Sequence, residues 1–350
     1  MKTAYFLIPG DPQRRSGGTI YDRRIMSGLA AQGWRVEWRG LDAAFPAPST
    51  AALAETAALL AGLPDQALTI IDGLALGAMP EVAAAHRQRL RLVGLVHHPL
   101  ALESGLDETQ RQQLYASERA ALRQVRQVIV TSPSTARALI DDYDVPPARC
   151  VVVVPGTDPA PLSSGSNGGE LVLLCVASLT PRKGHAVLLR ALAPLKDRPW
   201  RLRCAGGAHD PATAAELPTL AAALGLTKRV EWLGELQSAD LDAAYQQADV
   251  LVLPSFHEGY GMALAEALAR GLPIVSTAAG AIPDTVPAAA GLLVPPGDAA
   301  ALTEALARVI DEPALRTQLA AGACAARQTL PDWPTVSAQF AEVLDAVLAA

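Results

Sequence analysis

Residues 257–271, HEGYGMALAEALARG, hold two carboxylates, Glu258 and Glu266, eight positions apart with a Gly-Tyr-Gly turn between them. A glycine turn leading into a helix aims unpaired backbone N–H groups and the positive end of the helix dipole at whatever lies above it, which suits an anion such as phosphate. Carboxylates beside such a site accept hydrogen bonds from hydroxyls. The constellation therefore suits a ligand that carries both phosphate and hydroxyl groups, as a sugar nucleotide does. Most glutamates simply face water, so the surrounding elements decide whether this pair is more than two solvated side chains.

The preceding ADVLVLPSF, residues 248–256, reads as a buried strand, because Val250 to Leu253 form a continuous apolar run that Pro254 ends. GMALAEALARG behind it has good helix formers, an apolar face at Met262, Leu264, Ala265 and Leu268, and Gly271 where a helix stops. The unit is strand, glycine turn, helix. It sets Glu258 at the mouth of the anion site and Glu266 inside the helix, in a position to point toward the same cleft.

The chain has 350 residues, half of them apolar, which suits about two domains with sizeable cores. Its 29 basic residues stand against 35 acidic ones without a long run of either sign, so nucleic acid is not an expected partner. Cys150, Cys175, Cys204 and Cys324 have no metal-finger spacing and read as reduced thiols. The apolar stretch before Pro9 is too short for a signal sequence, and no run is long enough to span a membrane. The expected location is the cytoplasm.

Short apolar runs at 4–9, 35–41, 67–72, 91–98, 127–132 and 150–156 alternate with alanine-rich helical stretches, the rhythm of a parallel sheet covered on both faces. Residues 157–170, TDPAPLSSGSNGGE, lose that periodicity and read as a linker. The pattern restarts at 170–178, 200–206, 229–234, 248–255, 273–277 and 290–296. The fold class is α/β, with two doubly wound, Rossmann-like domains expected to face each other across a cleft at their strand carboxyl ends. Gly17 and Gly18 lie ahead of a helix after the first strand, but too far from it for the tight GxGxxG phosphate turn, which argues against a nicotinamide or flavin cofactor.

FHEGYGMALAEALARGLPIVSTAAGAIPDTV, at 256–286, resembles the signature of the family 4 glycosyltransferases, retaining enzymes of the two-domain GT-B architecture. VASLTPRKGHAVLLRAL, RCAGG, VEWLGELQSADLDAAYQQADVLVLPS and GLLVPPGD follow the family's order and spacing over 170–300, while LVHHP, VIVTSPSTARAL and VVVVPGTD extend the likeness into the first half. The resemblance implies an acceptor-side domain at 1–160, a nucleotide-sugar donor domain at 161–330, and a helix at 331–350 packing back toward the first domain. It implies that Glu266 accepts from the ribose hydroxyls and that Glu258 faces the donor sugar. The amides of Gly259, Tyr260, Gly261, Met262 and Ala263 would hold sugar and phosphate, with Lys183 at the diphosphate. His97 would reach the donor sugar across the cleft, and Gly17 and Gly18 would form an acceptor-side loop. One departure stands out. Where the family carries an arginine five positions before the lysine, this chain has Ser178, and Arg182 is the nearest replacement.

The implied reaction is hexosyl transfer from a UDP- or GDP-sugar to a small-molecule, glycan or lipid hydroxyl, with membrane contact at most peripheral. As the diphosphate leaves, negative charge grows on the departing oxygen, and preorganised cations and amides stabilise it without metal or cofactor. Asp142 and Asp144 have DxD spacing but read as a solvated helix end, and Arg14, Arg15, Arg23 and Arg24 are candidates to meet an acidic acceptor or a lipid surface. A sugar-nucleotide epimerase or hydrolase, and a non-catalytic nucleotide-sugar binder, are the competing readings.

Overall fold

Each of the twelve apolar runs contains a strand in the computed structural model, which describes residues 1–350 except 12, 14, 15, 104 and 167. Arg14 and Arg15, considered above as acceptor contacts, therefore lie outside the described residues. The chain divides into two compact units, residues 1–156 with 331–350, and residues 157–330.

Unit 1 runs β1 (Thr3–Pro9), α1 (Gly17–Ala31), β2 (Arg35–Leu41), α2 (Thr50–Ala61), β3 (Leu68–Asp72), α3 (Gly73–Leu76), α4 (Pro80–His86) and β4 (Arg91–Val96). It continues with α5 (Glu108–Leu122), β5 (Gln127–Val130), α6 (Pro133–Asp141) and β6 (Cys150–Val152). The strands are parallel in the order β2-β1-β3-β4-β5-β6, so the chain departs to opposite sides of the crevice between β1 and β3. β3 is buried along its whole length, which is why its sequence LTIID reads as a run and not an alternation.

Unit 2 repeats the logic with β7 (Leu171–Val176), α7 (His185–Leu192), β8 (Trp200–Ala205), α8 (Pro211–Ala223), β9 (Val230–Gly234), α9 (Ser238–Gln246) and β10 (Val250–Leu253). It ends with α10 (Met262–Ala269), β11 (Ile274–Thr277), α11 (Ile282–Thr285), β12 (Gly291–Val294), α12 (Ala299–Asp311) and α13 (Pro313–Ala326). Its parallel order is β12-β11-β10-β7-β8-β9, with the reversal of direction between β7 and β10. Ligands of doubly wound sheets bind outside the strand carboxyl ends at such reversals.

The stretch 157–170, expected to be a linker, is instead laid along unit 2. The Ser163 hydroxyl donates to Gln246 O at 2.9 Å and Ala248 O at 2.7 Å, and the Ser166 and Val172 amides donate to the Asp249 carboxylate. Small hydroxyls and one half-buried carboxylate hold Ser163 and Ser166 in place, and neither leaves a mark in hydrophobic periodicity.

Helix α14 (Trp333–Ala349) starts at Asp332, whose side chain accepts from Thr335 N–H at 2.9 Å. Val336, Phe340, Leu344 and Val347 recur at helical spacing and are buried, and the Phe340 ring stacks on Phe6 of β1 with centroids 6.2 Å apart. Lys2 and Asp345 pair at 2.6 Å beside it. Since burial of a large side chain carries most of a helix's docking energy, Phe340→Ala is expected to destabilise unit 1 by about 3–5 kcal/mol, while Leu102→Ala at an exposed position stays within about 0.5 kcal/mol. Denaturant unfolding of both variants measures this, and equal effects would remove α14 from the unit 1 core.

Candidate active site

The turns that follow β7 and β10 meet because those strands are neighbours in the sheet. Phe256 N–H donates to Arg182 O at 2.8 Å, tying one turn to the other. Gly184 closes the first turn in the left-handed region, φ 71°, and a Cβ there would lie 2.1 Å from Pro254 O. No other residue fits that approach. The second turn is pinned from behind, where Ala281 N–H donates to Glu258 O at 2.9 Å and the Thr285 hydroxyl donates to Tyr260 O at 2.7 Å.

Glu258 is only 6% exposed. Lys183 Nζ and Ser255 Oγ each donate to its Oε1 at 2.6 Å, and an Arg182 guanidinium nitrogen lies 3.8 Å from Oε2. Burial alone would raise its carboxyl, but the charges of Lys183 and Arg182 with the two hydrogen bonds outweigh it and hold the group below the ordinary glutamate range. It is a carboxylate at neutral pH. Both short bonds fall on Oε1, so Oε2 retains acceptor capacity for a hydroxyl.

Arg182 also donates to His257 O at 2.8 Å and is turned inward with 18% of its side chain exposed. Lys183 and Arg182 thus bring two cations to one carboxylate at the sheet's point of reversal. Glu266 stands apart from that cluster in its contacts. Tyr245 OH donates to its Oε2 at 2.8 Å, and Arg270 stacks over the Tyr245 ring at 4.4 Å. Burial raises the Glu266 carboxyl, against the lowering effects of the Tyr245 hydroxyl and Arg270. Between the two acids, Gly261 is left-handed at the start of α10 and no side chain caps the helix, so the amides at Met262 and Ala263 have no capping partner from its N-cap residue.

In unit 1, His97 follows β4 and meets carboxylates from two other elements: its Nε2 lies 3.1 Å from Asp22 Oδ1 on α1 and 3.6 Å from Asp72 Oδ2 at the end of β3. Gly18 lies close against the ring, since a Cβ there would sit 3.1 Å from the imidazole and press on it. The three facing polar atoms lie within 4.8 Å of one another, and the 3.1 Å contact is a hydrogen-bond distance that a proton on Nε2 satisfies.

Asp142 and Asp144 are exposed as expected of a solvated helix end, Asp142 as the C-cap of α6 and Asp144 pairing at the surface with Arg119 and Arg123. Arg23 donates to Gln13, and Arg24 lies over the Trp333 ring at 5.5 Å. The four cysteines are unpaired, with Cys175 and Cys204 buried. Sequence reasoning missed Ser255, Tyr245, Asp22 and Asp72. Asp72 carried a readable signal, as an acid closing an apolar strand just ahead of glycine; Tyr245 carried none.

Removing one member of a buried ion pair leaves the other unmet, so Lys183→Met is expected to destabilise by about 3 kcal/mol, with at least half regained in Lys183→Met/Glu258→Gln. A depressed carboxyl stabilises the fold above its unfolded pKa and loses that contribution as pH falls through the folded one. The gap between wild type and Lys183→Met should therefore narrow in acid. Urea unfolding at several pH values reads both effects, and an equally unstable double variant would contradict the pairing.

Residues 159–324 match the family described as Glycosyl transferases group 1, and residues 71–161 match Glycosyltransferase Family 4. A D-inositol 3-phosphate glycosyltransferase of Corynebacterium glutamicum (strain R) is 31% identical over 239 residues, 63% of this chain and 57% of that protein. The chain thus spans little more than half the length of that relative. An MMP alpha-(1->4)-mannosyltransferase of Mycolicibacterium hassiacum is 28% identical, over 88% of this chain and 77% of its own. Among solved structures, sucrose-phosphate synthase from Thermosynechococcus elongatus superposes with a TM-score of 0.85 at 24% identity, covering 100% of both chains. Anabaena HepE, solved with UDP-glucose, gives 0.78 at 19% identity over 98% of this chain and 99% of its own. Their shared fold is the GT-B architecture. With the two family matches running in succession from residue 71 to residue 324, the chain belongs to the family 4, group 1 glycosyltransferases.

Proposed function

We propose that the protein transfers a hexosyl group from a nucleoside-diphosphate sugar, UDP- or GDP-linked, to an acceptor hydroxyl with retention of anomeric configuration and without a metal. The observation that carries this reading is the convergence of Lys183 and Arg182 on Glu258 beside the α10 amides, at the carboxyl end of β7 and β10. Lys183 and Arg182 are the cations for the leaving diphosphate, and Arg182 takes the duty that the family gives to an arginine where this chain has Ser178. Glu258, with Oε2 open, accepts from the donor sugar near the reacting carbon. Glu266, held by Tyr245, accepts from the ribose. The complexes of HepE with UDP and UDP-glucose, and the similarity to a D-inositol 3-phosphate glycosyltransferase and a mannosyltransferase, support a nucleotide-sugar donor. The reading also includes the donor-domain assignment of 161–330 and the acceptor-side assignment of 1–160.

The direct experiment is a panel of nucleotide sugars scored for protection against thermal unfolding, followed by mass-detected transfer in excess EDTA. Protection by a UDP- or GDP-sugar and transfer that survives chelation are expected; transfer that needs added magnesium or manganese would overturn metal independence. Remote contacts hold ground and transition states alike, so Glu266→Ala should raise the donor KM with kcat near wild type, while Glu258→Gln should lower kcat. An unchanged KM in Glu266→Ala would sink its ribose role.

A charge-assisted bond to phosphate is worth about 1.5–3 kcal/mol, so Arg182→Ala should lower kcat/KM by roughly tenfold or more. Ser178→Arg in that background should restore part of it. Wild-type kinetics for Arg182→Ala would leave Lys183 and the helix amides as the phosphate clamp.

A further inference from the structure

Two carboxylates converge on one nitrogen of His97, and the fold takes trouble to keep them there. Asp22 is 1% exposed and Asp72 is 4% exposed. Leu74 N–H donates to Asp72 Oδ1 at 2.8 Å, which leaves Oδ2 turned to the ring. The edge of Tyr21 meets the imidazole at 5.5 Å between centroids, with its own hydroxyl bonded to Val153 O, and Gly18 lies against the ring. The ring is thus fixed on several sides with Nε2 inward. Nδ1 takes no hydrogen bond among the described residues, and 19% of the side chain stays exposed.

We infer that Asp22 and Asp72 are positioning residues that hold His97 as an imidazolium with Nδ1–H presented outward, so that the substrate atom met there is an oxygen bearing partial or full negative charge. A neutral imidazole offers either a donor or a lone pair at its outer nitrogen, according to tautomer. An imidazolium offers only a donor, and a charged one. It does not take the proton of an incoming hydroxyl at neutral pH, so this side chain acts by binding and by stabilising negative charge, not as a general base.

The electrostatics agree with the geometry. Burial works against charge on the His97 ring, yet the Asp22 charge and hydrogen bond, with the Asp72 charge, outweigh it and raise the group to about 9. Burial and the Asp22 charge raise Asp72 to about 7, against His97 and the Leu74 N–H. Asp22 from α1 and Asp72 from β3 are the charged groups facing the ring among the described residues.

The inference rests on the sugar-transfer reading only for the identity of the oxygen, and its test does not need the substrate. In the full chain, the His97 imidazole, assigned through His97→Gln, is followed by NMR across pH. It is expected to titrate near 9 in the wild type and at least two units lower in Asp22→Asn, where burial is left to dominate. Asp72→Asn, the second variant, should show a smaller fall and guards against an Asp22 variant that fails to fold. Transfer should follow, with the alkaline limb of kcat/KM moving into the neutral range in Asp22→Asn and activity recovered by lowering the pH. A wild-type ring that titrates at or below 6.5 would overturn the inference, as would loss of activity at every pH in a folded Asp22→Asn, or stoichiometric zinc or manganese binding that abolishes the titration. If the NMR result stands but no nucleotide sugar protects or reacts, the triad is right and the sugar-transfer reading is wrong.

Discussion

A buried carboxylate has to be met by charge or it does not stay ionised, and much of unit 2's reactive edge follows from meeting Glu258. Its partner Lys183 lies 75 positions earlier, on the turn after a different strand. Bringing them together requires β7 and β10 to be neighbours, the two turns to be tied by the Phe256 to Arg182 backbone bond, and residue 184 to have no side chain. Each requirement is satisfied. The doubly wound order supplies the adjacency by placing the first and fourth strands of the unit side by side.

Unit 1 solves a different electrostatic problem at the corresponding place. There two buried carboxylic groups meet a histidine, drawn from α1, the end of β3 and the turn after β4. A lysine answers one carboxylate in unit 2, whereas in unit 1 a histidine faces two. Both clusters sit where the sheet order reverses, which is also where helix amides and strand ends leave room for a ligand. The chemistry of each unit is therefore set by which residues terminate its central strands.

The fold was legible because parallel strands buried on both faces read as apolar runs, and such runs survive without any alignment. Their edges were not. Residues 150–156 look like one strand, but only Cys150–Val152 is strand, with Val153 adding one more bond to Val130 before the chain leaves. The acid pair and Lys183 could be found from the glycine turn and the resemblance around it. The inward course of Arg182 could not, because adjacent residues in a turn point in different directions and only the position of His257 O decides between them. Tyr245 was invisible for a related reason: its hydroxyl reaches Glu266 from a neighbouring helix, and on its own helix it is one more buried aromatic.

The path of the chain through its two units has a consequence for how the protein is made. Unit 2 is continuous from Thr157 to Leu330, whereas unit 1 is completed by residues 331–350, which leave the ribosome after all of unit 2. Domains commonly fold as units during synthesis, so unit 2 can assemble from local sequence while β1 waits for its covering. During that interval Phe6, which will be wholly buried, has no Phe340 to lie against. Until residues 331–350 are made, the nascent first unit lacks the helix face that covers its apolar strip on α1 and β1.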